Sequence, residues 1–297
     1  MPRLWPALKR AAAEFREDNL ADWAAALTYY GLLSLFPGLI ALVSIVGLAG
    51  DPRGATRTIT EIVAAIGPHS AAQTFAGPIE SIASSRGTAG VAFAFGLAIA
   101  LWSASGYVGA FIRASNVIYE TREGRPFWKL RPLQLAVTLT MVLLGVMLVV
   151  ALVLTGPLVD AVAGPLGIGP AAVTAWNIAK WPAMAAVFVL MVGVLYYASP
   201  NAKIRGFRWV TPGSLVAIVA WTIASAGFAL YVANFGSYDV TYGTLGGLVA
   251  LLVWLWISNV AILFGHELNA ELERGAEIEE GRPGAEREIQ LEPRARP

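Results

Sequence analysis

The chain has 297 residues, of which 57% are hydrophobic and only 14% are charged. Soluble domains carry about 25% charged residues, so this composition excludes an ordinary soluble protein and indicates a membrane protein. The net charge of +1 favours no class of charged partner. Because cysteine is absent, disulfide bonds, thiolate metal sites and cysteine nucleophiles are excluded.

The first 22 residues precede the first long apolar stretch and predict an amphipathic helix. Leu4, Leu8, Ala11 and Phe15 recur at helical spacing, and the basic side chains lie off this stripe. Such a helix either rests on the inner membrane surface or packs on the helix bundle. The sequence leaves both arrangements open.

Six uncharged stretches are long enough to cross a bilayer, since a helical crossing needs about 20 apolar residues. They predict an all-α bundle of six transmembrane helices over residues 23–273, with spans near 23–50, 88–112, 133–157, 181–200, 210–232 and 243–265. A further uncharged stretch, residues 161–179, contains GPLGIGP and is predicted to be a loop because of its helix breakers.

Two segments outside the spans have their own patterns. Residues 51–86 contain two short apolar stripes, which predict a helical hairpin at the outer face between the first two spans. Residues 274–297 are charged, contain Gly and Pro and lack aromatic side chains. This composition predicts a disordered cytoplasmic tail.

The distribution of Lys and Arg predicts the orientation. All but four of these 21 residues lie before the first span, between the second and third, between the fourth and fifth, or after the sixth. The exceptions are Arg53, Arg57, Arg86 and Lys180. Because cytoplasmic loops of membrane proteins carry the excess of positive charge, both termini are predicted to be cytoplasmic.

Polar side chains follow one face of the second predicted span. This face lies within less than half a turn and carries Trp102, Ser105, Gly109, Arg113, Asn116 and Glu120. Arg113, Asn116 and Glu120 are candidates for lining an inward-facing vestibule, since a guanidinium group suits phosphate or carboxylate. Ser105 and Gly109 form a small-xxx-small pair that favours helix packing. Alternatively, the whole face serves packing and interface anchoring.

The first span also carries polar side chains, namely Tyr29, Tyr30 and Ser34, as candidate cavity residues. Pro37 lacks a backbone donor and is expected to kink this helix near its middle. A kink often accompanies a cavity, although it also arises where a helix only has to fit its neighbours.

The connection before the sixth span is polar and has one acidic group. Its candidate pathway residues, at the outer mouth of a cavity, are Tyr238, Asp239, Tyr242 and Thr244. Gly243 and Gly247 form a GxxxG pair that would bring the next helix close to a neighbour. The alternative is an interfacial aromatic belt, in which Tyr is enriched.

Whole motifs of the chain resemble one family. They are AALTYYGLLSLFPGLIAL, LWSASGYVGAFIRASNVIYETREGRPFWKLR, YYASPN, SYDVTYGTLGG and WLWISNVAILFGHELNAELER. In this order they resemble the YihY or virulence factor BrkB family of bacteria, whose members formerly carried the name ribonuclease BN. The resemblance covers residues 10–272. It implies a six-span protein of the bacterial inner (plasma) membrane and points towards export of lipid or lipid-like envelope components.

A ribonuclease is not expected from the residues. Cleavage of RNA needs an acid and a base that face one phosphate. The predicted topology places His69 on the outer side of the membrane and His266 on the cytoplasmic side, so that a bilayer core of about 30 Å separates them. Glu267 and Glu271 share a helical face, yet HELNAELER is typical of a solvated helix end. We expect no catalytic residue, no metal, no cofactor and no nucleic-acid partner.

The function that these observations favour is transport or export of a lipid-like or amphipathic component, with the lipid bilayer as the immediate partner. The alternative is a scaffold or assembly factor for envelope machinery, in which the polar residues satisfy one another. The substrate, the coupling ion and the oligomeric state are not indicated by the sequence.

Overall fold

A computed structural model describes residues 4–49, 89–153, 169–205, 210–234 and 244–296, with side chains for 4–34, 98–99, 101–151, 169–205, 210–232 and 247–296. Within these ranges the chain is all-helical except for an isolated bridge between Ala202 and Pro293. The helices are α1 (Leu4–Glu17), α2 (Leu20–Ala49), α3 (Ala89–Ile118), α4 (Phe127–Val153), α5 (Pro170–Ala198), α6 (Pro212–Asn234) and α7 (Thr244–Glu279).

Four of these helices are long and apolar enough to cross a membrane, over Phe127–Ala151, Pro170–Ala198, Pro212–Val232 and Gly247–Glu279. Helices α2 and α3 each have 30 residues, which corresponds to about 45 Å at a rise of 1.5 Å per residue. The all-α membrane class is therefore confirmed. The count of six spans stays a prediction, and the hairpin predicted at 51–86 lies outside the described residues.

Helix α1 packs on the bundle. Ala7 and Ala11 are buried against Leu268 of α7, and the Phe15 ring lies 6.0 Å from that of Phe264. The apolar stripe of α1 is therefore covered by protein along most of its length, and Leu4 at its start is 37% exposed. Helix α1 therefore contacts the bundle, and its position on the inner membrane surface stays a prediction.

Helix α5 begins about ten residues before the predicted span. The helix starts at Pro170, because proline at the first helical position has a suitable φ and loses no hydrogen bond there. Lys180 ended the uncharged stretch in the sequence, but it lies inside the helix and is 6% exposed. Its ammonium group donates to Asn177 Oδ1 at 3.1 Å and lies 5.6 Å from the centroid of the Trp181 ring.

Helices α6 and α7 pack closely through two glycines, Gly213 and Gly265. A Cβ atom on Gly213 would lie 2.0 Å from the carbonyl oxygen of Gly265, and one on Gly265 would lie 2.4 Å from that of Gly213. The first turn of α6 is fixed beside this crossing, since Asn269 Oδ1 accepts the Gly213 N–H at 2.9 Å. Only glycine allows the two backbones to approach this closely.

The C-terminal segment, residues 280–296, differs from the predicted disordered tail. It folds back under the bundle, and Ala285 and Ile289 are 0% and 8% exposed. The buried Arg274 guanidinium donates to three of its carbonyl groups, those of residues 285–287. Composition predicted disorder because the segment has few apolar residues. Its backbone is instead held by hydrogen bonds from side chains elsewhere in the chain.

Candidate functional site

A cleft of about 350 Å³ opens between α2, α3 and α4. Each of the three helices contributes lining residues, and Gly109 of α3 lies against Gln134 of α4. The lining residues are Tyr30, Ser105, Gly106, Gly109, Arg113, Phe127, Leu130, Arg131 and Gln134. This volume falls in the range of small-molecule pockets, about 300 to 1,000 Å³. We call this site the arginine cleft.

Arg131, near the start of α4, is held firmly in the cleft. Its Nη1 donates to Gln134 Oε1 at 3.0 Å and to Ser105 Oγ at 3.4 Å. Its guanidinium carbon lies 4.4 Å from the centroid of the Trp102 ring and 5.8 Å from that of Phe127. The two rings and two polar contacts fix the guanidinium plane while leaving several of its five donors unused.

Arg113 of α3 faces the same cleft but is held less firmly. Its guanidinium carbon lies 5.5 Å from the centroid of the Tyr30 ring. Neither Arg113 nor Arg131 forms an ion pair with a carboxylate of the described residues. The cleft therefore holds two positive charges and no negative one among its lining residues.

Small side chains on α3 create the space. Ser105 is fully buried, and its hydroxyl donates to the Trp102 carbonyl at 2.6 Å. A Cβ atom on Gly109 would lie 3.1 Å from Gln134 Nε2 and 3.8 Å from Arg113 Nη1. The predicted small-xxx-small pair thus lies against α4 and beside both cleft arginines.

Apolar surface flanks the cleft on the same three helices. Tyr29 and Leu33 of α2, Ile99 of α3, and Phe127 and Trp128 of α4 are between 50% and 73% exposed. Exposed rings of this kind are typical of helices that contact lipid. Of the two predicted cavity residues Tyr29 and Tyr30, Tyr30 lines the cleft, whereas Tyr29 is exposed and is not among the lining residues.

The structure places Asn116 outside the arginine cleft. Its side chain is 7% exposed, donates to Glu123 Oε2 at 3.0 Å and accepts the Asn201 N–H at 2.8 Å. Asn201 in turn binds both the N–H and the carbonyl of Ala295. Asn116 therefore joins the α3–α4 loop, the YYASPN motif and the C-terminal segment. Glu120 lies in the same region and accepts the Ile289 N–H at 2.9 Å.

Sequence reasoning missed a buried aromatic cage around His266. Its ring lies 4.4, 5.3 and 5.6 Å from those of Tyr196, Tyr119 and Phe111, and its Nε2 lies 3.0 Å from Ser115 Oγ. HELNAELER is thus not a solvated helix end, because His266, Glu267 and Glu271 are at most 1% exposed. The cage draws residues from three helices and one loop, so no local spacing could have shown it.

Carboxyl groups gather next to this cage, at the turn between α1 and α2. Burial, and then the negative charges of Glu14, Glu120 and Glu17, raise the pKa of Asp18 to about 6. Glu14 is paired with Arg274 at 2.7 Å, and Glu271 is paired with Arg10 and Arg274. In the part of the chain that is described, no three His, Asp or Glu side chains are grouped so that they could hold a metal ion.

The other predicted residues within described helices belong to α2 and α7. Ser34 donates to the Ala104 carbonyl at 3.3 Å and so joins α2 to α3. Pro37 lies within α2, Thr244 begins α7, and Gly247 is exposed in its first turn. Tyr238, Asp239, Tyr242 and Gly243 lie outside the described residues.

These features define a membrane protein of long apolar helices with a cationic cleft between three of them. The model of the virulence factor BrkB family matches residues 11–289, and the chain belongs to this family.

Similar proteins are found in Bacillus subtilis and Alteromonas mediterranea. The ribonuclease-like protein YfkH of Bacillus subtilis is 30% identical over 261 residues, which cover 88% of this chain and 92% of that protein. A UPF0761 membrane protein of Alteromonas mediterranea is 28% identical over 263 residues, covering 86% of this chain and 84% of that protein. No solved structure matches the chain.

Proposed function

We propose that this protein is a six-span protein of the bacterial inner (plasma) membrane that moves a lipid-like or amphipathic envelope component across it, with both termini in the cytoplasm. The observation that carries this proposal is the arginine cleft, which combines two guanidinium groups with aromatic and aliphatic walls. A volume of about 350 Å³ suits a polar headgroup. The exposed apolar faces of α2, α3 and α4 then offer a surface for the attached chains.

The residues support a non-enzymatic role. Catalysis at an RNA phosphate needs an acid or base within hydrogen-bond reach of the reacting atoms. His266 is 0% exposed and enclosed by three aromatic rings, which leaves no room for such a substrate beside it. The name of the Bacillus relative is therefore not carried over to this chain.

Movement of a lipid is testable in proteoliposomes that contain a fluorescent, tail-labelled phospholipid. A membrane-impermeant reductant bleaches only the outer leaflet, so protein that moves lipid raises the bleached fraction above about one half. Gly109→Leu would fill the arginine cleft without changing its charge, and we expect it to abolish the additional bleaching. Gly145→Leu is the matched control, because nothing lies within 4 Å of a Cβ atom at Gly145. Bleaching no greater than in protein-free vesicles would contradict the proposal.

A scaffold or assembly factor is the second candidate. The observation that favours it is the network around Asn116 and Asn201, in which the described polar groups satisfy one another and join three segments of the chain. In that case Gly109→Leu and Gly145→Leu would behave alike in the vesicle assay, with no lipid movement in either.

A further inference from the structure

Arg113 and Arg131 of the arginine cleft differ in their partners from five other arginines of the described residues. Five arginines outside the cleft pair with neighbouring carboxylates, as Arg10–Glu271, Arg125–Glu123, Arg205–Glu280, Arg274–Glu14 and Arg282–Glu277. Arg113 and Arg131 instead contact aromatic rings and neutral polar groups. Acidic side chains are therefore available in this part of the protein but are not placed in the cleft.

Arg131 is partly buried between packed helices, and its charge is costly there because the surrounding protein replaces part of the water that would otherwise solvate it. A bound anion would offset this cost for Arg131, and the exposed Arg113 lines the same cleft and can contact the same anion. Guanidinium groups suit oxyanions in particular, since their planar donors match pairs of oxygen atoms. A phosphate group offers enough acceptor oxygens to be shared by two guanidinium groups.

We propose that the arginine cleft binds a phosphate group, and that this group is the headgroup of an anionic membrane lipid. Arg131 supplies the fixed donor, because Gln134, Ser105 and the Trp102 ring hold its orientation. Arg113 supplies the second donor from helix α3. This inference names the substrate class of the proposed transport site, but it concerns binding and does not require movement.

The test is lipid binding to the purified full chain in neutral detergent, measured by native mass spectrometry with phosphatidylglycerol and with zwitterionic phosphatidylcholine. We expect saturable binding of one phosphatidylglycerol at least tenfold tighter than phosphatidylcholine. Arg113→Gln and Arg131→Gln should each weaken it at least tenfold, and Arg113→Lys should also weaken it because the paired donors are lost. Arg122→Gln, an exposed arginine outside the cleft, is the control for net charge and should bind as the unaltered chain does.

Inorganic phosphate distinguishes the two sources of this group. We expect it to compete with phosphatidylglycerol only at a concentration at least a hundredfold higher, because it lacks the acyl chains. Competition at equal concentration would overturn the lipid part of the proposal and assign the cleft to a free anion. If Arg131→Gln fails to fold, Arg113→Gln still decides, since the exposed Arg113 leaves no buried group unsatisfied when it is replaced.

Equal binding of the two phospholipids, or equal weakening in Arg113→Gln and Arg122→Gln, would overturn the phosphate site. Tight binding of phosphatidylglycerol without lipid movement in vesicles would instead contradict the proposed function and leave the binding site standing. The two proposals therefore fail on different measurements.

Discussion

Replacement of Gly265 by alanine should separate helices α6 and α7. A Cβ atom at this position would lie 2.4 Å from the Gly213 carbonyl oxygen, 2.6 Å from Ala217 Cβ and 2.7 Å from the Tyr196 hydroxyl oxygen. Cβ atoms essentially never lie closer than 3.0 Å to such neighbours. The helices must therefore move apart or the Tyr196 side chain must leave its hydrogen bond with the Ile262 carbonyl.

The expected magnitude follows from two opposing effects. Overpacking of a close contact costs roughly 1 to 3 kcal/mol, whereas alanine gains about 1 kcal/mol over glycine inside a helix. Because three neighbours are affected at once and two of them are on the backbone or close to it, we expect an overpacking cost in the upper half of this range. After the gain in helix propensity is subtracted, the net loss of stability is about 1 to 2 kcal/mol. At about 2 to 4 °C per kcal/mol, the melting temperature should fall by roughly 2 to 8 °C.

The assay is thermal unfolding in detergent, followed by the fluorescence of the ten tryptophans. The matched control is Gly227→Ala in α6, where nothing lies within 4 Å of an added Cβ atom. The control should leave the melting temperature unchanged or raise it slightly, because only the gain in helix propensity applies. If Gly265→Ala melts at or above the temperature of Gly227→Ala, the close approach of α6 and α7 is wrong.

Three further predictions concern other parts of the molecule. Asn201→Ala removes buried hydrogen bonds to the C-terminal segment, so it should destabilise the fold by about 1 to 3 kcal/mol. Proteolysis of the C-terminal segment should then be faster, and an unchanged cleavage rate would contradict the docking of this segment. Asp18→Asn should raise the melting temperature at pH 7.5 and have no effect near pH 4. In the folded protein the pKa of Asp18 is about 6, above its ordinary value of 3.8. The ionised Asp18 carboxylate therefore destabilises the fold increasingly as the pH rises from 3.8 to 6, and this loss of stability remains at higher pH. An equal effect of Asp18→Asn at both pH values would refute this reasoning. In the cysteine-free chain, Lys203→Cys should react with a membrane-impermeant thiol reagent from the cytoplasm and Gly169→Cys from outside, and the reverse pattern would overturn the orientation.

The sequence predicted those features that depend on one helix at a time. Hydropathy predicted the positions of α4, α6 and α7. The helical periodicity of α3 predicted that Ser105, Gly109 and Arg113 share one face, and these three residues line the cleft. In the sequence, Arg131 is only one of the positive charges between the second and third predicted spans, because its position beside Ser105 depends on how α4 packs against α3. A single sequence does not contain that distance.

Other differences have the same origin. Asn116 shares a helical face with Arg113, but it belongs to a buried hydrogen-bond network. In this network it accepts the N–H of Asn201, which is distant in the sequence. His266 is enclosed by rings from separate segments. The charged C-terminal segment is ordered by backbone hydrogen bonds that composition does not reveal. In each case the deciding contact joins residues that are distant in sequence.

The most direct test of the central claim is to map where an anionic lipid lies on the protein. A phosphatidylglycerol analogue with a photoreactive group on the first carbons of its acyl chain is cross-linked to the chain in vesicles, and the labelled peptides are identified by mass spectrometry. We predict labelling concentrated in residues 99–113 and 127–134, and its loss in Arg113→Gln but not in Arg122→Gln. Labelling spread evenly over the exposed faces of α5 and α6, at Ile178 and Ile223 for example, and unchanged in Arg113→Gln, would contradict the arginine cleft as a lipid site.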